Sequence, residues 1–257
     1  MFTSRKITTM GGNKLRDDFS LTFDGSNDYV DFGADSSIAI NSSAFTISFW
    51  VNFNALGTYC LIGKGTSLSD GGGSAKGLAV SYLSNKFYLD CHEGVGTYHR
   101  DTARTDTLTI DTGRWYHITA VRPAGNADGR AIYVDGLDKT ASGKGDNNDT
   151  DDLDDGSINL FAARAPQGSN RYSAVKISDI ALYKGIAMNE AQVRTLYNGR
   201  EPYNHAEGSM STYLSGWWRM GDGLEHGSGT TIFDMSTNTN NGTMTNMAAD
   251  DFIGDTP

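Results

Sequence analysis

Residues 45–53 read Phe-Thr-Ile-Ser-Phe-Trp-Val-Asn-Phe, with a large apolar residue at every second position. Side chains along a β-strand point alternately to opposite faces, so a period of two predicts a strand that buries Phe45, Phe49 and Phe53 on one face. Aromatic and β-branched residues also favour the pleated backbone. We therefore predict a β-strand over this stretch.

Short apolar or alternating runs of the same kind continue on both sides of this strand, and turn residues separate them. Strands at this spacing predict a two-sheet antiparallel sandwich, in which alternate side chains pack between the sheets. The runs are Leu21–Phe23, Tyr29–Phe32, Leu61–Ile62, Leu78–Tyr82, Lys86–Leu89, Leu108–Ile110, Trp115–Val121, Ala131–Val134, Ile158–Ala162 and Ala174–Tyr183.

Two local signals are sharper than the rest. Asp135-Gly136 follows an apolar run and predicts a tight hairpin, because both residues tolerate the positive φ that such turns need. Residues 189–197 predict one short helix, with Asn189 as its N-cap and Gly199 just past its end. We expect little other helix, so the fold class is all-β.

The chain divides into three parts. Residues 1–20 are polar and carry basic side chains, which predicts an N-terminal arm. Residues 21–199 form the predicted sandwich, and residues 200–257 follow as a C-terminal segment. Within the sandwich, residues 143–156 are rich in Asp and Gly and predict a solvated loop.

Charge limits the possible partners. The formal net charge is −10, and only five of the 31 acidic residues are Glu. A protein this acidic has no basic patch to offset a polyanion, so we expect no nucleic-acid partner.

No stretch approaches the ~20 apolar residues of a membrane span, and the N-terminal residues lack the apolar run of a signal peptide.

The sequence has two cysteines, Cys60 and Cys91, each within an apolar run. Two thiols do not make a disulfide framework. Packed free thiols are one interpretation, and a cross-sheet disulfide formed in an oxidising compartment is the other.

Five motifs occur in an order that resembles the laminin-G-like and concanavalin-A-like jelly-roll domains, which are found in pentraxin-related proteins, lectin-like modules and phage structural proteins. The resemblance implies a jelly-roll sandwich, and it spans about 180 residues. The motifs are Leu21-Thr-Phe-Asp-Gly-Ser-Asn-Asp-Tyr-Val30, Phe45-Thr-Ile-Ser-Phe-Trp-Val51, Thr112-Gly-Arg-Trp-Tyr-His-Ile-Thr-Ala-Val121, Ile132-Tyr-Val-Asp-Gly136, and Val175–Tyr183 followed by Met188–Tyr197.

The C-terminal segment resembles the part that usually opens such a domain. It carries Gly216-Trp-Trp-Arg-Met220, an Asp-x-Ser turn at Asp234, and the strand-like Asn241-Gly-Thr-Met244. The resemblance therefore implies a circularly permuted domain, or a segment that completes the sheet of a neighbouring copy. Permutation is easy when termini lie close together. A C-terminal strand that can be exchanged between copies leads us to expect a homo-oligomer.

Two functions of different classes follow from the resemblance. The end of the chain is similar to small structural proteins of marine tailed bacteriophages, cyanophages included. This favours a non-enzymatic virion protein, assembled in the host cytoplasm, that decorates a head or tail surface and contacts other virion proteins. The alternative is a calcium-dependent lectin-like module that recognises a cell-surface glycan.

Catalysis has little support in the sequence. Related glucanases use paired carboxylates on one strand, in a Glu-x-Asp-x-x-Glu arrangement that is absent here. The five histidines show no metal-ligand spacing, and no Gly-x-Ser-x-Gly elbow is present. His117 is most simply a residue on a sheet face.

The resemblance implies a calcium ion at the rim of the sandwich, and the matching positions here are Asp24, Asp28 and Asp179. Carboxylate oxygens are the hard ligands that Ca²⁺ prefers. The alternative is that Asp24 and Asp28 only form a turn.

Sugar binding would need exposed aromatic rings beside hydrogen-bonding side chains. Tyr98, His99, Asn170 and Tyr172 lie in loop-like segments and are the candidate carbohydrate-binding residues. The strand tryptophans Trp50 and Trp115 are expected to be buried instead.

Overall fold

A computed structural model describes residues 15–65, 76–93, 100–125, 129–142, 152–153, 155–166 and 171–257. These residues fold into two antiparallel sheets packed face to face, with one short α-helix on the outside of one sheet. The predicted all-β, two-sheet sandwich with a single short helix is confirmed. In the described residues no helix has the length and apolar character to cross a membrane.

The strands are numbered in chain order. They are β1 (Ser20–Thr22), β2 (Tyr29–Asp31), β3 (Phe45–Phe53), β4 (Tyr59–Gly65), β5 (Lys76–Leu83), β6 (Lys86–Glu93), β7 (Arg100–Arg104), β8 (Trp115–Arg122), β9 (Ala131–Val134), β10 (Leu137–Asp138), β11 (Leu160–Ala162), β12 (Val175–Lys184), β13 (Leu214–Trp218), β14 (Thr231–Ile232), β15 (Gly242–Thr245) and β16 (Phe252–Ile253). The helix α1 spans Glu190–Tyr197.

The front sheet has the strand order β10-β9-β8-β3-β12-β1-β16, and β13 also pairs with β12. The back sheet has the order β14-β15-β2-β11-β4-β5-β6-β7. The main apolar core lies between them, and Phe45, Phe49 and Phe53 of β3 are fully buried in it. The period of two therefore identified the inward face of β3 correctly.

The outer face of β3 is buried as well. Trp50 is 4% exposed and contacts the rings of His117 and Tyr197, with centroid separations of 4.9 and 5.8 Å. Tyr197 belongs to α1, so the helix covers this face of the front sheet. Trp115 is buried on the same face, because it pairs with Asn52 of β3. The two tryptophans are thus buried as expected, but outside the inter-sheet core.

Both local signals are confirmed. Asp135 (φ 51°) and Gly136 (φ 75°) form the turn between β9 and β10. Positive φ at both central residues is the geometry of a type I′ hairpin. Asn189 caps α1, since its side chain accepts the backbone N–H of Gln192 at 3.0 Å and its own backbone N–H donates to Oε1 of Gln192 at 2.9 Å.

One predicted strand is absent from the structure, and one strand was not predicted. Leu108–Ile110 belongs to no strand, although Ile110 is buried, so its apolar character reflects packing of an irregular segment. Arg100–Arg104 forms β7, which pairs with β6 at the edge of the back sheet. Edge strands need less apolar character, and this one gave no hydrophobic pattern.

The predicted solvated loop at 143–156 is wrong at its C-terminal end. Leu153 and Asp155 are fully buried. The Asp155 carboxylate accepts the backbone N–H groups of Ile40 and Asn41 at 3.1 and 2.8 Å, and it lies 3.8 Å from the buried ammonium of Lys64. A buried carboxylate with these partners is structural, whereas Asp152 and Gly156 of the same stretch are exposed. Residues 143–151 and 154 lie outside the described residues.

The C-terminal segment completes the sandwich of its own chain. β13 pairs with β12, β16 pairs with β1, and β15 pairs with β2. The N-terminal arm is described only from residue 15 onward, and its last residue, Ser20, opens β1. Exchange of the segment between copies, and a homo-oligomer, stay predictions.

Both cysteines are buried free thiols, which confirms the first interpretation of the pair. Burial raises the pKa of the Cys60 thiol to about 12. This cysteine is therefore protonated and unreactive at neutral pH.

Removing the charge of Asp155 is expected to destabilise the protein strongly. Asp155→Ala leaves the buried Lys64 ammonium unpaired and two backbone donors unsatisfied, which costs about 3–5 kcal/mol. The double variant Lys64→Met with Asp155→Asn should recover part of that loss, because no buried charge remains. Urea unfolding would measure both, with the exposed Asp106→Asn as control. If the single and double variants lose the same free energy of unfolding, the pairing of the Lys64 and Asp155 charges is contradicted.

Candidate functional site

The residues expected to bind carbohydrate are only partly described. Tyr98, His99 and Asn170 lie outside the described residues. Tyr172 is half-buried, and its ring centroid lies 6.2 Å from that of Tyr29. The described part of the chain therefore does not test a site formed by these four residues together.

Asp24 and Asp28 form a turn at the end of β1. Oδ1 of Asp24 accepts the backbone N–H groups of Ser26 and Asn27 at 2.7 and 3.2 Å, and these bonds hold the pKa of Asp24 below its usual value. Oδ2 of Asp28 accepts the N–H of Asp24 at 3.0 Å, while burial raises the pKa of Asp28. The contacts are those of the turn-forming interpretation.

Asp179 lies far from this turn. Phe23, beside Asp24, bonds to Val175, so Asp179 is about four to five positions further along β12, on the order of 15 Å away. Within the described residues no group of three His, Cys, Asp or Glu side chains could hold a metal ion. Two carboxylates fall short of the six to eight oxygen ligands of Ca²⁺, so the residues described do not by themselves fit the ion. Calcium stays a prediction.

Asp179 instead occupies a bulge in β12. Its φ is 53°, and the pairing register of β12 with β3 shifts between Ser178 and Ala181. Trp217 Nε1 donates to Oδ1 at 2.6 Å, and His205 Nε2 lies 3.1 Å from Oδ2. Burial alone would raise the pKa of Asp179, but the charge and hydrogen bond of His205 and the bond from Trp217 outweigh it and lower that pKa. The role of this carboxylate is to hold the bulge.

A second acidic group lies beside this bulge. Asp17 shares a hydrogen bond with Asp222, and burial, this bond and the charge of Asp179 raise the pKa of Asp17 to about 8, against the opposing effect of Arg219. Asp222 in turn accepts the backbone N–H groups of residues 18 and 19 at 2.7 and 2.9 Å. The protonated Asp17 therefore helps to fasten the N-terminal arm to the C-terminal segment.

A groove of about 750 Å³ opens at the far end of β12. A cavity of this size accommodates a small ligand such as a mono- or disaccharide. The groove is rich in hydroxyl groups and is bordered by one aromatic ring. Its lining residues are Ser37, Ser43, Lys184, Gly185, Ala206, Ser211, Thr212, Tyr213, Leu214, Ser215, Met235, Ser236, Thr237 and Asn238.

Asp234 shapes one wall of the groove. Asp234 is 6% exposed. Its carboxylate accepts four hydrogen bonds, from Trp217 N at 2.9 Å and from Ser236 N, Ser236 Oγ and Asn240 N at 2.8 Å each. Asn238 Nδ2 then reaches across to the carbonyl oxygen of Ser215 at 3.1 Å. The predicted Asp-x-Ser turn is thus present, and it fixes the loop of residues 234–240 against β13.

Tyr213 also lines the groove. It ends a 3-10 turn at Ser211–Tyr213 and is 40% exposed. Among the large apolar side chains described as exposed it is the only aromatic one, the others being leucines. A Cβ at Gly185 would lie 3.5 Å from Cδ1 of Tyr213. The glycine, with φ 90°, therefore leaves the ring uncovered.

The sequence did not identify Lys184 or Tyr213 as site residues. A signal for the groove does exist in two hydroxyl-rich segments, Ser209–Tyr213 and Met235–Asn240, that flank the Trp217 strand. These two segments lie near Lys184 only because β13 pairs with β12, and the sequence alone did not predict that pairing.

A model of the concanavalin A-like lectin/glucanases superfamily, of the laminin-G type, matches residues 24–194. The chain therefore belongs to this superfamily, as the resemblance implied. No protein of curated function matches the sequence.

Two solved structures are similar in fold. One is a Bacteroides ovatus protein provisionally described as carbohydrate-binding, with 19% identity and a TM-score of 0.57 over 88% of this chain. The chain spans 58% of that protein's length. The other is the heptameric SAP-like pentraxin of Limulus polyphemus, with 16% identity and a TM-score of 0.50 over 70% of this chain and 82% of the pentraxin.

Replacing Asp17 is expected to change how stability depends on pH. The folded-state pKa of this carboxyl is raised, so its contribution is greatest below its unfolded value near 3.8 and is lost as pH rises towards 8. Asp17→Asn mimics the protonated carboxyl and removes this loss. The Tm of Asp17→Asn should exceed that of the unmodified protein by a margin that grows between pH 4 and pH 8. Asp18→Asn, on the exposed neighbouring residue, is the control. A Tm difference between Asp17→Asn and the unmodified protein that stays constant from pH 4 to pH 8 would rule out the raised pKa of Asp17.

Proposed function

We propose that the chain is a non-enzymatic carbohydrate-binding module whose ligand lies in the groove beside Tyr213. The observation that carries this proposal is an exposed aromatic ring at the edge of a hydroxyl-lined groove. An aromatic side chain offers an apolar face to the C–H groups of a pyranose and a polar tip to its hydroxyls. Surrounding Ser, Thr and Asn side chains supply donors and acceptors for the sugar hydroxyls.

The superfamily and one structural neighbour support the proposal. The superfamily includes lectins by its description, and the neighbour from Bacteroides ovatus is provisionally described as carbohydrate-binding. The part of the groove lining that the structure describes contains no carboxylate that could hold a metal ion beside the ligand. We therefore propose that retention of sugar through Tyr213 does not require calcium.

The virion interpretation remains a prediction from the sequence. Decoration of a phage head or tail, contact with other virion proteins and location on a virion surface each concern assemblies beyond a single chain. A surface protein that binds glycan is compatible with such a location, and mass spectrometry of purified virions would test it independently.

Tyr213→Ala removes the aromatic ring and is expected to weaken glycan binding at least tenfold, or about 1.4 kcal/mol, since aromatic anchors dominate binding energy in small sites. Tyr213→Phe keeps the ring and should retain most of the affinity that Tyr213→Ala loses. An array of mono- and oligosaccharides would find ligands, and calorimetric titration would compare the variants.

The control is Leu224→Ala, which removes a side chain 61% exposed and outside the groove. The array is run with and without a chelator. Binding that survives Tyr213→Ala would overturn the proposed site. Binding lost with chelator would instead implicate calcium, and Asp24→Asn with Asp28→Asn would then locate it.

A further inference from the structure

The charges around the groove are unequal. Lys184 is the only Lys, Arg, Asp or Glu residue in its described lining. The protein as a whole has ten more acidic than basic residues. Within the described part of the chain no carboxylate forms an ion pair with Lys184, whose Nζ donates to the carbonyl oxygen of Ser36 at 3.1 Å. An ammonium has three N–H donors, so two remain for a ligand.

Neither Asp234 nor Asp35, which are close in sequence to lining residues of the groove, forms an ion pair with this ammonium. Asp234 lies behind the wall of the groove, and its four hydrogen bonds from Trp217, Ser236 and Asn240 occupy both of its oxygens. Asp35 accepts the backbone N–H of Ser37 at 2.8 Å. Both therefore have partners of their own within the protein.

Lys184 and Tyr213 line the same groove. The pairing of β12 with β13 ends at Tyr183 and Leu214, and Lys184 and Tyr213 are the chain neighbours of this last pair. A Cβ at Gly185, the residue after Lys184, would lie 3.5 Å from Cδ1 of Tyr213, so the ring lies beside this end of β12. A pyranose stacked on Tyr213 would thus carry its exocyclic substituent within reach of the ammonium.

We infer that the groove selects saccharides with a single acidic substituent, a carboxylate or a sulfate, which pairs with Lys184 while the sugar ring lies on Tyr213. This inference rests on the proposed function and names its substrate class. Polyanionic chains are disfavoured, because a net charge of −10 repels the charges that extend beyond the groove.

The test uses matched probes: methyl galactoside and methyl glucoside, their uronic acids, and their 6-sulfates. The unmodified protein should bind the acidic members at least fivefold more tightly than the neutral ones at low salt. The preference should shrink at 300 mM salt, since ions screen a partly exposed pair. Comparing uronic acids with 6-sulfates decides which acidic group is preferred, and polygalacturonate should bind no better per residue than the monomer.

Lys184→Met should reduce the acidic preference to about onefold while neutral sugars still bind, and Lys184→Arg should keep it. Lys139→Met is the matched control, because it removes the same charge from an exposed position outside the groove. If both classes bind equally and Tyr213→Ala abolishes both, the acidic selectivity is overturned and the proposed function stands. If neither class binds, the proposed function fails as well.

Discussion

The edge of β12 carries two strands from opposite ends of the chain, and the front sheet depends on how they meet there. β1 pairs with residues 176–177 of β12, and β13 pairs with residues 180–183. Asp179 lies between these two pairings, in a bulge that interrupts the edge. A bulge leaves one residue unpaired and turns its side chain away from the regular pattern. Here the carboxylate is turned towards His205 and Trp217, which bind it.

The same strand pair links this junction to the groove. At one end of β13, Asp222 fastens the arm that leads into β1. At the other end, the 3-10 turn before β13 presents Tyr213 opposite the end of β12. Asp234 then holds the following loop to Trp217 of β13. Most of the groove lining therefore comes from the C-terminal segment, the part that resembles the usual opening of the domain.

The sequence predicted the fold well because the fold depends on local patterns. The alternation over residues 45–53, the Asp135-Gly136 turn and the Asn189 cap each act within a few residues. The strand predicted at Leu108–Ile110 is absent, since apolar residues also pack beneath irregular backbone. The burial of Asp155 was not predicted, because its partners Ile40 and Lys64 are remote in sequence. The groove was not predicted for the same reason, because Lys184 and Tyr213 are remote in sequence and approach each other only where β12 pairs with β13.

The meeting of chain ends on one sheet has a consequence for how the protein folds. Ser20 Oγ bonds to the carbonyl oxygen of Asp255, across 235 residues of sequence. Contacts this distant form slowly, because the intervening chain must first lose the freedom of a very long loop. During synthesis the outer edge of β1 therefore stays uncovered until β16 has been made and can pair with it. An uncovered strand edge recruits other strands, so this interval is when the protein is most exposed to aggregation and to exchange with another copy.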